Sequence, residues 1–473
     1  MDYNVKPMIH RFRQNDMNIV MDVNSGIVHV VDDVTYRVLE FYKGEGREET
    51  LSALEKEYGA EELNEVMDDL DELIRAQSLY APMDKNYEMA IEDKPIVKAL
   101  CINIAHDCNL RCKYCFAGQG GYGQWRMLMS FDVARRAVDF LIAHSGHREH
   151  CELDFFGGEP LLAFKDIKEF IPKLNAAYKK IFDTVPKYAA ITNGTLITDE
   201  IADFFNRYFY ALSISIDGPK QICDKTRIFL NPRQSVHDTI RRAMNILNKK
   251  KRNYFLAASA TLSPDTMIQA QALGAAAYRR SFFALGFDQV AIFEASGIPW
   301  PDESLQAAYR FYEGIIEETF GIITEKKSSK LPDNGIMALL VDILKQHYTG
   351  DCVAGKSYFY YTIADGIYPC QLYYNARKRE RTALRRIAIK QCQSCPALNV
   401  CDSHCGGAAL YENGDENIPV AFRCAMTLFK LDQVIKRLGY YAFYKETNEA
   451  YQNIINAVKT FAAQNAVSNI YTP

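Results

Sequence analysis

The sequence predicts an α/β chain organised around a partial (β/α)6 barrel of the TIM type. A winged-helix-like unit precedes the barrel and a cysteine-rich segment follows it. Three observations carry this reading. Between residues 95 and 330, short runs rich in Val, Ile, Ala and Phe alternate six times with amphipathic helical text. Residues 1–82 instead read as three short strands followed by about three helices. Finally, seven of the 13 cysteines crowd into 351–424, where periodicity is weak and turn residues are frequent.

The first strands fall at 8–14, 17–23 and 26–32, with turns at Asn15-Asp16 and Asn24-Ser25-Gly26. Leu63, Val66, Met67, Leu70, Leu73 and Ile74 then recur at helical spacing along one face. The polar stretch 83–94 reads as a linker. Barrel strands are expected at 97–105, 151–156, 187–193, 211–217, 254–262 and 288–294, with helices such as 132–145, 166–180 and 239–250 between them. A parallel arrangement places the chemistry at the C-terminal strand ends. The pattern does not separate an open sheet from a closed barrel. Residues 331–440 form the cysteine-rich unit, expected to be held by metal rather than by a core of its own. A helical stretch from Ala425 to about Gln464 leads into a C-terminal segment, 441–473.

Composition narrows the function. The 55 basic and 59 acidic residues leave a net charge of -4, and 48% of the chain is hydrophobic. That balance points to neither a nucleic-acid binder nor a membrane protein. The N-terminus has no apolar stretch behind a basic start, and no run of eighteen apolar residues occurs, so a cytoplasmic location is expected. Thiols there stay reduced, which makes metal or cluster ligation the natural use for so many cysteines.

The most informative local pattern is Cys108-x3-Cys112-x2-Cys115, in the loop directly after the first barrel strand. Two short steps let one loop aim three thiolates at a cuboidal [4Fe–4S] cluster. Three ligands for four irons leave one iron open, which separates a reaction centre from an electron-transfer cluster held by four thiolates. Zinc completed by a distant fourth ligand is the competing reading. The next strand ends carry Phe156-Gly157-Gly158-Glu159-Pro160, Thr192-Asn193-Gly194 and Ser215-Ile216-Asp217-Gly218, with Arg227 soon after. Singly, each could be a tight turn. On consecutive strands behind the cysteine loop they mark one site.

At these residues the chain resembles the radical S-adenosylmethionine (SAM) superfamily, whose signature is this triplet with Tyr114 before the last cysteine. The resemblance implies that Cys108, Cys112 and Cys115 hold the catalytic cluster and that its open iron chelates the methionine part of SAM. An electron then splits the sulfonium to give a 5′-deoxyadenosyl radical. The cofactor carries this chemistry, while the protein positions it and excludes solvent. The resemblance also assigns Tyr114, Gly157, Gly158, Glu159, Pro160, Asn193, Ser215, Asp217 and Arg227 to the cofactor. Glu159, with backbone carbonyls, would take the methionine ammonium; the Ser and Arg are typical partners of the carboxylate and ribose.

The second constellation is Cys392-x2-Cys395-x5-Cys401-x3-Cys405, followed by Cys424 and preceded by Cys352 and Cys370. A zinc ribbon is the competing reading, since CxxC pairs are common zinc ligands. Behind a radical SAM core, the run resembles the SPASM domain, which normally holds two auxiliary [4Fe–4S] clusters and would bring the total to three. The resemblance implies that Cys392, Cys395, Cys401 and Cys424 complete one auxiliary cluster. Cys352, Cys370 and Cys405 would serve the other, leaving it an empty ligand position. An open iron there can accept a substrate thiolate, fix its place and lower its pKa. Cys101 and Cys151 read as small buried apolar residues, and Cys223 receives no role.

Residues 14–42, together with 129–146, resemble the maturases of SCIFF peptides, which join a cysteine sulfur to another residue's carbon in a ribosomally made peptide. The front unit resembles a recognition element that pairs a leader peptide with its exposed sheet edge. The implied partners are a cysteine-containing precursor peptide with a leader and an external electron donor of the flavodoxin or ferredoxin kind.

Departures remain. Asp365-Gly366 stands where the family usually has Gly-Asp, and the basic run 377–386 replaces an expected Gly-Asn-Val text. That run reads first as a solvated face and second as a contact for an acidic peptide. The rival enzyme is a sulfatase-maturase-like oxidase, whose base is an Asp after an auxiliary cysteine. Here Cys370 is followed by Gln371, which takes up no proton at neutral pH. A catalytically silent, cluster-bearing peptide-binding protein is the third reading.

Overall fold

The computed structural model describes residues 7–14, 16–82, 96–146, 148, 150–182, 184–325, 331–344, 352–364, 366–382, 386–401, 405–444 and 447–468. The expected linker 83–94, Asp365 and residues 383–385 of the basic run lie outside the described residues.

At the N-terminus, β1 (Ile9–Gln14), β2 (Met17–Asp22) and β3 (Val28–Val31) form an antiparallel sheet in that order, followed by α1 (Asp33–Val38), α2 (Arg47–Tyr58) and α3 (Ala60–Arg75). Every residue of the central strand β2 is buried, because its two faces serve two different cores. Val20 packs with Val38, Leu54, Leu63, Met67 and Leu70. Met17, Ile19 and Met21 point the other way, into the main core of the chain.

Six strands, β4 (Ala99–Ala105), β5 (Glu152–Gly157), β6 (Lys187–Thr192), β7 (Phe209–Ser215), β8 (Phe255–Leu262) and β9 (Gln289–Glu294), pair in parallel in sequence order. Between them run α4 (Phe131–His144), α5 (Phe164–Lys179), α6 (Asp199–Tyr208), α7 (Lys220–Thr226), α8 (Val236–Leu247), α9 (Pro264–Leu273) and α10 (Ala275–Phe283). Strand residues such as Ile102, Leu153, Phe155, Leu212, Ile214 and Leu256 are buried in the main core. On the opposite face Ala189, Ala211, Ser213, Ala257, Ser259 and Ala291 are small and only half-buried, so the inner face of the sheet is left roomy.

Beyond β9 come α11 (Asp302–Thr324) and α12 (Asn334–Leu344). The sheet is open, with β9 at one edge. At the other, β10 (Tyr358–Tyr361) lies parallel to β4, and β11 (Ile367–Tyr368) lies antiparallel to β10. The cysteine-rich segment is therefore stitched to the barrel by a backbone ladder. It also shares with the barrel a small core that its weak periodicity hid: Tyr360, Tyr368 and Tyr374 pack with Cys101, Ala117 and Tyr122. Its helices are α13 (Gln371–Asn375), α14 (Lys390–Gln393) and α15 (Gly406–Asn413).

The closing helical stretch is two helices, α16 (Ala421–Phe443) and α17 (Asn448–Ser468). Tyr444 takes extended backbone after α16, and the Thr447 hydroxyl donates to the carbonyls of Tyr441 and Tyr444 at 2.9 and 2.5 Å. Among the described residues no helix is long and apolar enough to cross a membrane.

Helix α16 also supports the N-terminal sheet. His10 Nε2 lies 2.6 Å from Asp432 Oδ1, and a Cβ at Gly439 would meet Ile19 and Val30 side chains at 3.5 Å. Asn399 adds a tie from the cysteine-rich segment, donating to the Val23 carbonyl at 2.7 Å. The sheet therefore shares the central core. Ile19→Ala should cost about 2–5 kcal/mol in urea unfolding of the whole chain, as for other buried aliphatic truncations. A change within about 0.5 kcal/mol, the range of surface substitutions, would show that this packing bears no load.

Candidate active site

The loop that follows β4 carries Cys108, Cys112 and Cys115, and both its flanks are pinned by backbone pairing. On one side Arg111 N donates to Ile228 O (2.6 Å) and Lys113 N to Thr226 O (3.0 Å). On the other, His106 N donates to Met127 O (2.9 Å), and Arg126 pairs with Asp107 at 2.7 Å. The same Asp107 oxygen accepts from Cys108 N at 2.8 Å.

Three glycines let backbone meet backbone beneath the loop. A Cβ at Gly158 would lie 2.2 Å from Asp107 O, one at Gly157 2.4 Å from Ala105 O, and one at Gly120 2.6 Å from Cys108 Cβ. No other residue fits such contacts.

Glu159 is fully buried at the end of β5. Its Oε1 accepts from Thr192 Oγ1 (2.6 Å) and Leu161 N (2.9 Å), and its Oε2 from Asn193 N (2.7 Å). Burial pushes its pKa up to about 7, while these donors and Arg227 pull the other way. The carboxylate thus ties the end of β5 to the end of β6, a structural duty the sequence did not show. Pro160 opens a short 3₁₀ turn, Pro160–Ala163, behind it. Asn193 turns back to the loop, with Nδ2 at 2.8 Å from Asn109 Oδ1 and 3.8 Å from Cys108 Sγ.

At the end of β7, Ser215 lies in register with Ser259 of β8. Asp217 is also fully buried and gathers four donors: Tyr114 OH (2.6 Å), Thr226 Oγ1 (2.9 Å), Arg227 Nε (3.0 Å) and Thr261 N (3.0 Å). Tyr278 OH donates to the Asp217 carbonyl at 2.8 Å. Arg227 reaches toward Cys112, with Nη1 4.0 Å from Sγ, and stands over the Tyr114 ring. Sequence reasoning linked Arg227 to the cofactor; its Nε is spent on Asp217, and its charge lies beside the cysteine loop. Thr261 and Tyr278 were missed, and no local motif marks them. Gly120, in the run Gly118–Gly123, could have been noticed as a close-approach glycine.

The thiols show what the site needs. Burial pushes Cys108 up to about 12 and Cys112 up to about 11, although Arg227 pulls Cys112 down. Left alone, both would stay protonated at neutral pH. A cationic cluster reverses that preference, because metal ligation deprotonates a thiol. Among the described residues no three His, Cys, Asp or Glu side chains close around a single ion. A three-thiolate donor set, a glycine cradle and buried polar strand ends together fit a [4Fe–4S] cluster with SAM.

The other seven cysteines form two groups. Cys352, Cys370 and Cys405 lie near enough to interact electrostatically, and a Cβ at Gly407 would sit 3.4 Å from Cys370 Sγ. Cys392, Cys395, Cys401 and Cys424 make up the second group. Burial lifts Cys370 and Cys392 to about 12 and Cys424 to about 11, the same demand for metal as in the first loop. Cys101, Cys151 and Cys223 are buried, and Cys101 packs in the tyrosine-rich core that Cys115 borders and lies near enough to Cys370 to interact electrostatically.

The basic run is only partly a solvated face. Arg381 donates to the Cys352 carbonyl (2.6 Å), Lys378 pairs with Glu416 (2.7 Å) and Arg386 is buried, whereas Arg377 and Arg379 are exposed.

The glycine contact nearest the cysteines gives a direct test. Gly120→Ala should lower the iron bound after anaerobic reconstitution by about four atoms per chain, one cluster's worth. Unchanged iron content would show that this approach does not shape the thiol set.

Comparison with known proteins agrees with this geometry. The pattern of the Radical SAM superfamily matches residues 102–262, from β4 to the end of β8. A cysteine-type anaerobic sulfatase-maturating enzyme of Clostridium novyi is 30% identical over 159 residues, which are 31% of this chain and 39% of that protein. The radical SAM cyclopropyl synthase TigE of Paramaledivibacter caminithermalis is 24% identical over 273 residues, 53% of this chain and 55% of its own. The chain thus spans between 39% and 55% of these two relatives. Among solved structures, anSMEcpe with bound AdoMet superposes at a TM-score of 0.60 and 17% identity, covering 76% of this chain and 99% of that one. The same protein with AdoMet and the Cp18Cys peptide gives 0.60 and 16%, covering 77% and 100%. At that identity the likeness is one of fold. The chain therefore carries a radical SAM domain, built from β4 to β8 and the loops at their C-terminal ends.

Proposed function

We propose that the chain is a peptide maturase that forms a thioether between a cysteine sulfur and a carbon of a ribosomally made precursor. The carrying observation is the division of ten cysteines into sets of three, three and four. In this reading Cys108, Cys112 and Cys115 hold the reaction-centre cluster with SAM. Cys392, Cys395, Cys401 and Cys424 fill one auxiliary cluster, and Cys352, Cys370 and Cys405 leave the other with one open ligand place for the substrate sulfur.

When bound, the cluster and SAM supply a carbon-centred radical able to take a hydrogen atom from a peptide carbon. The chain's own residues do the positioning. Asp217 and Tyr114 hold Arg227 beside Cys112, where its charge offsets that of the thiolates. Glu159 locks two strand ends together under the loop, and the glycines bring backbone carbonyls within reach of a bound ammonium. The small side chains on the inner face of the sheet leave space for an extended peptide. The exposed edge of the N-terminal sheet is the natural place for its leader.

A second reading, oxidation of a peptide side chain, is favoured by the relationship to a sulfatase-maturating enzyme and by the shared fold. Gln371 behind Cys370 argues against it, because an amide cannot serve as the base.

Anaerobic incubation with SAM, reductant and a cysteine-rich precursor separates the two. Thioether formation removes about two mass units per bond and blocks alkylation of the cysteine used. Loss of mass with the cysteine still alkylatable, or loss of the cysteine sulfur from the peptide, would favour side-chain oxidation and overturn the thioether.

A further inference from the structure

We propose that the surface around Trp125 is the docking face for an acidic one-electron carrier protein of the flavodoxin or ferredoxin class. The inference rests on the reading of Cys108, Cys112 and Cys115 as cluster ligands. Trp125 is 89% exposed, more than any other large apolar side chain among the described residues, and Met127 (48%) and Leu128 (41%) follow it in the chain. Exposed aromatic and apolar residues grouped in this way are typical of protein-binding surfaces.

The strip adjoins the cysteine loop. Met127 O accepts from His106 N at 2.9 Å, Leu128 bridges to Ala105, and Arg126 pairs with Asp107, the residue before Cys108. A partner seated on Trp125 therefore comes close to the cysteine loop. A one-electron donor requires such proximity to the cluster ligands.

Charge selects the kind of partner. The chain as a whole is acidic, with a net charge of -4, yet residues 123–128 and 377–381 hold five basic residues against one acidic; Arg126 and Lys378 pair with Asp107 and Glu416, and the exposed Arg377 and Arg379 carry the local excess. The two segments touch: Arg377 Nη2 donates to Tyr122 O at 2.7 Å, and a Cβ at Gly123 would lie 3.9 Å from the same nitrogen. Arg377 and Arg379 are exposed, with their guanidinium groups over the rings of Tyr374 and Tyr368 at 5.0 and 5.6 Å. Lys113, exposed on the cysteine loop itself, adds a third cation. A local basic rim around an apolar centre steers and seats an acidic protein. In the transfer the carrier loses one electron and the cluster gains it; no bond forms or breaks and no proton moves.

The test uses the holoenzyme with purified flavodoxin as the probe. Trp125→Ser, and separately Arg379→Glu, should each weaken binding of oxidised flavodoxin about tenfold at low salt, as loss of a central aromatic or of complementary charge does. Flavodoxin-driven formation of 5′-deoxyadenosine should fall in parallel, while dithionite-driven formation stays as in the wild type. Unchanged flavodoxin affinity and rate in both variants would overturn the proposal. So would an equal fall with dithionite, which would place the residues in cluster integrity, or a loss of precursor affinity in place of carrier affinity. If the wild type formed no 5′-deoxyadenosine even with dithionite, the functional reading would fail, and the binding comparison would still decide the docking face.

Discussion

The architecture depends on one constraint: backbone must touch backbone where the cysteine loop crosses the end of β5. At Gly158 there is no room for even a methyl group beside Asp107 O, and at Gly120 none beside Cys108. Because these contacts are made by main chain, the loop inherits the rigidity of the sheet. Two buried carboxylates then extend the clamp sideways. Glu159 joins β5 to β6, and Asp217 binds β7 and β8 to the loop's Tyr114 and to Arg227. A buried carboxylate left short of donors costs several kcal/mol, so these networks hold only if complete. Each collects three or more donors.

The thiols supply the second theme. Every set is buried enough to favour the protonated form, so the metal-free chain holds neutral thiols in places shaped for charge. Metal ligation at these thiols should therefore be coupled to stability, contributing to folding as well as to chemistry. Between the cysteine loop and the set at Cys370 lies the tyrosine-rich core of Tyr122, Tyr360, Tyr368 and Tyr374. His106 is buried among them and is depressed to about 4 by that burial. This layer joins barrel and cysteine-rich segment into one framework and keeps water from the space between two of the thiol sets.

Much of this was legible in the sequence, and the exceptions have physical causes. The six β/α repeats were readable because their strands are apolar runs bounded by polar turns. Spacing and resemblance suggested the grouping of ten cysteines that the proposed function uses. By contrast, β10 and β11 are four and two residues long and rich in tyrosine, too short to display alternation, so their addition to the barrel sheet was hidden. The N-terminal unit appeared separable because its own helices cover one face. Burial of the other face against α16 is a contact across some four hundred residues, which no local pattern encodes. Glu159 and Arg227 were singled out by motif and resemblance, but the hydrogen bonds they make with Thr192, Asn193 and Asp217 join strand ends that only the parallel sheet brings together.

The central claim is that Cys352, Cys370 and Cys405 leave one iron free for the substrate's sulfur. Electron paramagnetic resonance of the reduced holoenzyme, with and without precursor, tests it most directly. The wild-type precursor should shift the auxiliary-cluster signal, whereas a precursor with serine in place of its cysteine should bind through its leader and leave the signal unmoved. An unchanged spectrum with a wild-type precursor that is nevertheless crosslinked would contradict the account.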